Sequence, residues 1–322
     1  MNWLRRWCMA WITVTAATLA ASAQDYPTKP IRLIVVTAPG GLMDVAARIT
    51  AEHVGKALGQ TIVIENRPGG GGNLGAEAVA KAPPDGYTIG LIQLGNVAIN
   101  PHLYKDLTFD PLNDLAPVAP VTSSAILVIA GNTVADDLKG LIALAKQQPG
   151  KLNYGSGGAG TVPHLAGEMF AAAAGIKLTH VPYRGVGPAV NDLIGGHIQL
   201  TFAGWGAIRA AVEANRAKVL AVAQPQRLQA APQIPTSAEA GLPGYEFLTW
   251  FGVVAPKGTP APIVAKLAQQ IHVMQNDAAV QRQLTAGGLE ALKESPEQFG
   301  ARIRRDHQRF GAIIRAANLT PQ

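Results

Sequence analysis

Short apolar runs alternate with longer amphipathic stretches through most of this chain, with glycine or proline between them. Ile31 to Thr37 is an apolar run of strand length, broken by Ala38-Pro39-Gly40-Gly41. A helix is expected from Leu42 to Leu58, with Val45, Ile49, Val54 and Leu58 on one side and Gly59 as its stop. Thr61 to Glu65 reads as the next strand, Arg67 to Gly72 as a glycine-rich turn and Leu74 to Lys81 as a short helix. A turn at Pro83-Pro84-Asp85-Gly86 then leads to a strand over Thr88 to Leu94, closed by Gly95-Asn96. A β-α-β-α-β order of this kind predicts a mainly parallel sheet with helices on its faces.

Leu115 to Ala130 is apolar for too long to be one ordinary strand, as a strand passing between two lobes would be. The rhythm then repeats. A helix over Leu138 to Lys146 is followed by strands over Leu178 to Pro182, Gln199 to Ala203 and Val219 to Ala223. Helices over Val186 to Leu193 and Ile208 to Ala214 lie between them. Pro225 to Gly244 reads as loop, and Phe247 to Ala255 as a second crossing strand. Helices over about Pro262 to Asn276 and Pro296 to Asn318 finish the chain, the last opened by a capping box of Ser295 and Gln298. The expected fold is therefore α/β with two lobes, hinged at two crossing strands. The expected division is residues 1–23 as a leader, 24–122 and 247–322 as one domain, and 123–246 as the other. No internal repeat is visible in the residues themselves.

Ligands in such sheets sit beyond the carboxyl ends of the strands. Three glycine loops fall there, at 39–41, 95–96 and 155–160. The third runs Asn153-Tyr-Gly-Ser-Gly-Gly-Ala-Gly-Thr-Val-Pro-His164. Ser156, Gly157, Gly158 and Gly160 form a loop that can approach a ligand closely. Thr161 suits an N-cap, and Pro163 the first turn of a helix that stops at Gly175. Free N–H groups and the positive end of a helix dipole at one spot suit an anion. His164 could donate to it, or could simply cap the helix. The same stretch also suits an ordinary strand-to-helix turn.

The first residues read as an export signal. Arg5 and Arg6 precede an apolar run from Cys8 to Leu19, and Ala21-Ser22-Ala23 is an A-x-A cleavage site. Removing Arg5 and Arg6 from the 27 basic residues leaves 25 against 21 acidic ones, a mild net charge of +4. That charge calls for no nucleic-acid partner. Cys8 is the only cysteine, so a cleaved chain has no disulfide and depends on its core. Arg302, Arg304, Arg305 and Arg309 share a helix with Phe299, Ile303, Phe310 and Ile314, which makes them its solvated face.

Catalytic motifs fail on their context. Gly70-x-Gly72-x-x-Gly75 and Gly155-x-Gly157-x-x-Gly160 match the dinucleotide pattern, but neither is followed by an acid at the end of the next strand. No G-x-x-x-x-G-K-[ST] phosphate loop occurs. Ser156 with His164 and Asp192 lacks the G-x-S-x-G elbow, because position 154 is Tyr. The histidines are scattered with no pair at metal-ligand spacing, so no metal and no cofactor are expected.

Read together, many short stretches resemble the solute-binding proteins of tripartite tricarboxylate transporters, often called the Bug family. They include Tyr26-Pro-Thr-Lys-Pro-Ile-Arg-Leu-Ile-Val, Ala38-Pro-Gly-Gly with Asp44 and Ala47-Arg48, and Glu65-Asn-Arg-Pro-Gly with Gly71-Gly-Asn73. Pro84-Asp-Gly-Tyr-Thr88, Asn100-Pro101 and Pro149-Gly-Lys-Leu152 continue the match. So do Tyr154-Gly-Ser156 through His164-Leu165, His180-Val-Pro-Tyr183, Pro235-Thr236, and Ala255-Pro256 with Gly258-Thr-Pro260. The resemblance spans the chain after its leader. It implies a monomeric, non-catalytic periplasmic binding protein of the two-lobe type (type II-like). Such a protein takes a small carboxylate between its lobes and serves the membrane components of a transporter. A sensor feeding a signalling partner has the same sequence signature, and a nucleotide-dependent enzyme is the remaining alternative. The resemblance implies ligand contacts from the 154–164 loop through backbone N–H groups and hydroxyls, and from Pro39, Gly40 and Gly41 partly through water. Asp44, Gly95, Asn96, Tyr183, Gly204 and Trp205 complete the candidate set with Ser156, Gly157, Gly158, Gly160, Thr161 and His164. Thr37, Thr161, Arg184 and Gly204-Trp205-Gly206 depart from the family's usual residues, and the first and last bear on pocket shape.

Cleavage after Ala23 makes a direct prediction. The exported protein begins at Gln24 and keeps only two of its five tryptophans, Trp205 and Trp250. Intact-mass measurement of the exported chain checks it, and a mass that includes Met1–Ala23 overturns it.

Overall fold

The computed structural model describes residues 26–158 and 160–316. The expected leader, with its cleavage site, lies outside them.

The first sheet opens with β1 (Ile31–Val35), α1 (Leu42–Leu58), β2 (Ile62–Asn66), α2 (Asn73–Ala80) and β3 (Thr88–Gln93). A wide helical turn over Gly95–Ile99 then runs into α3 (Asn100–Leu103), where the sequence suggested only a loop after the strand. β4 (Leu115–Ala125) and β5 (Leu127–Gly131) divide the long apolar run between them. Next come α4 (Leu138–Gln147), β6 (Asn153–Ser156), α5 (Val162–Ala174), β7 (Thr179–Pro182), α6 (Val186–Ile194) and β8 (Leu200–Ala203). α7 (Trp205–Glu213) and β9 (Ala217–Val222) complete the second lobe, and β10 (Leu248–Pro256) returns to the first. α8 (Ala261–Asn276), α9 (Ala278–Ala286), β11 (Glu290–Ala291) and α10 (Pro296–Ala316) follow.

The strand orders are β11-β4-β10-β3-β1-β2 and β7-β6-β8-β5-β9. β1 pairs in parallel with β2 and β3, and β6 with β7 and β8. β10 runs against both its neighbours, and so does β5. Most strands in each sheet thus point one way, but β10 and β11 in the first sheet and β5 in the second run against them, so both sheets are mixed. The expected alternation could not show this, because it reads each strand without its partner.

Two helix limits also differ from the sequence reading. α7 starts at Trp205, not Ile208, because extended Gly204 turns the chain straight from β8 into the helix. α9 was not anticipated at all. Its signal is Asp277, whose carboxylate accepts from the N–H groups of Ala279 and Val280. The capping box is present in full, with Ser295 N–H donating to Gln298 Oε1 (2.9 Å) and Gln298 N–H to Ser295 Oγ (3.2 Å).

The basic helix face is exposed at Arg304, Arg305 and Arg309, while Arg302 is drawn in by an ion pair with Glu294. Trp250 is a core residue of the crossing strand. Its ring meets Phe299 edge-on at 5.0 Å, and its Nε1–H donates to buried Asp306 (2.9 Å). Trp250→Phe keeps the ring packing and strands that carboxylate. It should cost about 1.5–3 kcal/mol, the range for a hydrogen bond to a charged group. Urea unfolding measures it, and an unchanged midpoint overturns the assignment.

Candidate functional site

The site is built by the segments that leave the carboxyl ends of β1, β3, β6 and β8. They face each other in pairs across the gap between lobes. A side chain on Gly160 would start 2.6 Å from Leu103 Cδ1 of α3 and would push that side chain aside. Just after the neighbouring strand β8, Gly206 at the start of α7 lies beside Leu42 at the start of α1 and the carbonyl of Gly287. The β6 segment therefore meets the β3 segment, and the β8 segment meets the β1 segment.

Three helices begin on this gap: α1, α5 and α7. Their N-cap residues, Gly41, Thr161 and Gly204, have extended backbone, and none makes a side-chain capping hydrogen bond. Asp137, Asp277 and Ser295 cap three helices elsewhere, and α2, α3, α6 and α8 also start without a side-chain cap, so it is the meeting of three such starts on one gap that matters. An uncapped start leaves N–H groups without intrahelical partners and carries about half a positive charge. This is chemistry for an anion. Thr161 is at the N-cap position expected, but its hydroxyl donates to Gly158 O (2.7 Å) instead of capping the helix.

The candidate residues divide into two groups. Pro39, Gly40 and Gly41 are exposed, and Gly157, Gly158, Gly160, Thr161, Tyr183 and Gly204 are half-buried. Asp44, Gly95, Asn96, Ser156, His164 and Trp205 are buried. The polar members of this second group have their polar atoms turned into the protein.

Asp44 accepts from Gly40 N–H (3.1 Å), Arg48 Nε (2.9 Å) and Asn66 Nδ2 (3.1 Å). It is the clamp of the Pro-Gly-Gly turn. Burial raises its pKa, but these donors together outweigh burial and hold the carboxyl below the usual range. Asn96 donates to Gly71 O (3.0 Å) and accepts from Gln93 N–H (3.2 Å), which ties two glycine segments together. Ser156 accepts from Gly158 N–H (3.1 Å) and bonds His180 Nε2 (2.7 Å). His164 Nδ1 accepts from Gly160 N–H (2.9 Å), so that nitrogen faces the loop and not the gap.

Tyr183 donates its hydroxyl to Asp192 (2.7 Å). Burial and that carboxylate push the phenol up to about 12. The Ser156, His164 and Asp192 combination therefore has no triad geometry. Trp205 stands at the carboxyl end of β8, where the sequence placed it, and its Cβ packs closely on Gly288 of the other lobe. Supporting residues the sequence did not single out are Leu42, Arg48, Asn66, Leu103, Glu168 and His180. Of these, His180 stood in the quoted His-Val-Pro-Tyr stretch, and Arg48 and Asn66 stood in two others. Among the described residues no three His, Cys, Asp or Glu side chains are placed to hold a metal ion.

A two-lobe α/β protein with an anion-receptive gap is a solute-binding protein in class. The family described as the tripartite tricarboxylate transporter family receptor, TctC, matches residues 46–319, and the chain belongs to it. Members of this family are receptors and not enzymes. A relative from Pseudomonas sp. strain P51, named only for its place between tcbD and tcbE, is 36% identical over 302 residues. The match covers 93% of this chain and 90% of that one. An R. palustris protein solved with adipate superimposes with a TM-score of 0.81 at 33% identity, covering 92% of this chain and all of that one. MatC from Rhodopseudomonas palustris, solved with bound malate, gives 0.75 at 30% identity, covering 90% of this chain and 100% of that one.

Asp44→Ala removes the acceptor for three donors at once. We expect a loss of about 1.5–3 kcal/mol near pH 7. A depressed carboxyl contributes stability above its unfolded value, and the contribution fades as pH falls through the folded one. The gap between wild type and variant should therefore shrink below about pH 4. Thermal melts across pH test this, and a gap constant from pH 7 to 3 overturns it.

Proposed function

We propose that this protein is an exported periplasmic receptor that captures a small dicarboxylate between its lobes. It then delivers the ligand, as a monomer, to the membrane components of a tripartite tricarboxylate-type transporter. The observation that carries the reading is the meeting of three uncapped helix starts on one gap between the lobes. Adipate and malate in the related R. palustris proteins support a dicarboxylate. The ligand's two carboxylates would take backbone N–H groups from 39–41 in one lobe and from 157–161 and 204–206 in the other. Asp44, Asn96, Ser156, His164 and Tyr183 would act behind these segments by fixing their shape. The moving units would be 24–122 with 247–322, and 123–246.

Titration calorimetry with adipate, malate and related dicarboxylates, set against uncharged amides of the same length, tests the ligand class. Ligand at 100 times its dissociation constant should add about 2.7 kcal/mol of stability. Binding of the amides as tightly as the acids would overturn the reading. Closure has its own signal. Trp205 packs on Gly288 of the opposite lobe, so opening should wet it and closure should dry it. Emission should shift to the blue on saturation with ligand. Trp205→Phe should lose that shift and Trp250→Phe should keep it. A calorimetrically confirmed ligand that leaves the emission of the wild type unmoved would rule out Trp205 as the reporter.

A further inference from the structure

Directly beneath the 156–160 loop lies a cluster of side chains that no ligand contact accounts for. The rings of His164 and His180 stack at 3.8 Å and 14°, and Tyr154 lies 5.0 Å from His180. His164 Nδ1 accepts from Gly160 N–H (2.9 Å). His180 Nε2 meets Ser156 Oγ (2.7 Å), and that oxygen accepts from Gly158 N–H (3.1 Å). Gly158 and Gly160 both have positive φ, +127° and +75°. The two backbone positions that bend the loop are therefore each held by an acceptor that a histidine supplies or supports.

We propose that His164 and His180 are positioning residues, a neutral stacked pair that holds the 156–160 loop in its anion-receptive shape and lets it go when protonated. The proposal rests on the reading of this loop as a carboxylate site.

The contacts require a neutral His164, and the stacking disfavours charge on both rings at once. A charged His164 carries a proton on Nδ1 and cannot accept from Gly160. A charged His180 would donate to Ser156 Oγ, whose own proton then goes to Gly158 O (3.0 Å), so protonation there acts through charge in the buried stack. Two imidazolium rings at 3.8 Å would also repel in a buried site. The titratable groups facing the pair are Glu168 on α5 and Tyr154 on β6, and the Tyr154 hydroxyl donates to Glu168 (2.6 Å). Glu168 Oε1 lies 3.9 Å from His164 Nε2, too far for a hydrogen bond. Burial depresses His164, against the opposing pull of Glu168. Burial, then His164, brings His180 down to about 4. Both folded values lie below the ordinary one. The pair is therefore neutral at pH 7, and its hold on the loop fades as pH falls from about 6.5 toward 4.

The test uses His164→Leu, His180→Leu and the uncharged mimic His164→Asn/His180→Gln, whose amides can accept where the ring nitrogens did. Amide hydrogen exchange at Gly158 and Gly160 reads the loop without any ligand. Adipate calorimetry reads binding. Each leucine variant should expose its glycine amide to exchange and weaken adipate by about tenfold at pH 7.5. The mimic should keep both. Between pH 7.5 and 4.5 the wild type should lose affinity faster than the mimic, a ratio from which protonation of adipate itself cancels. Exchange at Gly158 and Gly160 that is equal in all variants overturns the proposal, and so does a mimic with the wild-type pH profile. Adipate that binds no variant while the exchange pattern holds would count against the carboxylate reading, and not against the role of the pair in holding the loop.

Discussion

The two sheets of this protein are joined by a small knot of backbone hydrogen bonds, and the site depends on it. Ile126, between β4 and β5, donates to Phe247 O (3.1 Å). Ala223, at the end of β9, donates to Ile126 O (2.8 Å), and Phe247 donates to Ala223 O (2.8 Å). Below the knot, β4 and β10 pair over Leu115–Ala125 and Leu248–Pro256. Above it, β5 runs between β8 and β9. The chain thus crosses twice within one narrow joint. A short joint of backbone can bend through a few dihedrals, whereas packed sheets cannot deform gradually. Loops at the carboxyl ends of both sheets are thereby aimed at each other across the gap.

The two lobes share one plan. Apart from the short edge strand β11, β2-β1-β3-β10-β4 and β7-β6-β8-β5-β9 follow the same order, with an antiparallel crossing strand in the fourth place of each. The loop after β1 therefore corresponds to the loop after β6, and the segment after β3 to the one after β8. No residue repeat betrays this. The segments leading into the equivalent helix starts end in Gly40-Gly41 in one lobe and Gly160-Thr161 in the other, and they are held by different side chains. A sheet order is set by connection handedness and strand pairing, which constrain hydrophobic pattern far more than residue identity.

Most of the fold could be read from periodicity and punctuation, because strands here are apolar runs and four helices, α1, α5, α6 and α9, end at glycine. Leu42–Leu58 is an example, closed by Gly59 in the left-handed conformation. The misses have local causes. The Gly95–Ile99 turn was hidden because glycine and asparagine ordinarily break helices, and here Asn96 instead ties the turn to Gly71. α9 lacks a long apolar stripe, burying only Val280 and Leu284, so periodicity could not show it. Within the site, the loops were legible and the direction of their side chains was not. Ser156 and His164 stood among the candidate ligand contacts, with capping the alternative for His164, and residue type alone could not decide their direction. Their partners, His180 and the backbone at 158 and 160, come together only through the pairing of β6 with β7.

Charge explains why the two lobes support their loops so differently. Asp44 sits one turn into α1, where the helix dipole favours a carboxylate. The same negative charge would oppose an anion arriving at 39–41. Arg48, one turn further on, pairs with it and offsets that field, while the Gly40 and Asn66 donors spread what remains over neutral groups. Among the described residues, no Arg or Lys side chain bonds the opposite lobe's loop to play that part. Its supports are two uncharged rings and two hydroxyls, from Ser156 and Thr161, which hold the glycines without adding a field. In both lobes the side chains are used up in shaping the backbone. What then faces the gap is the positive end of each helix, a source of attraction that needs no desolvated cation and cannot be lost to a competing ion pair.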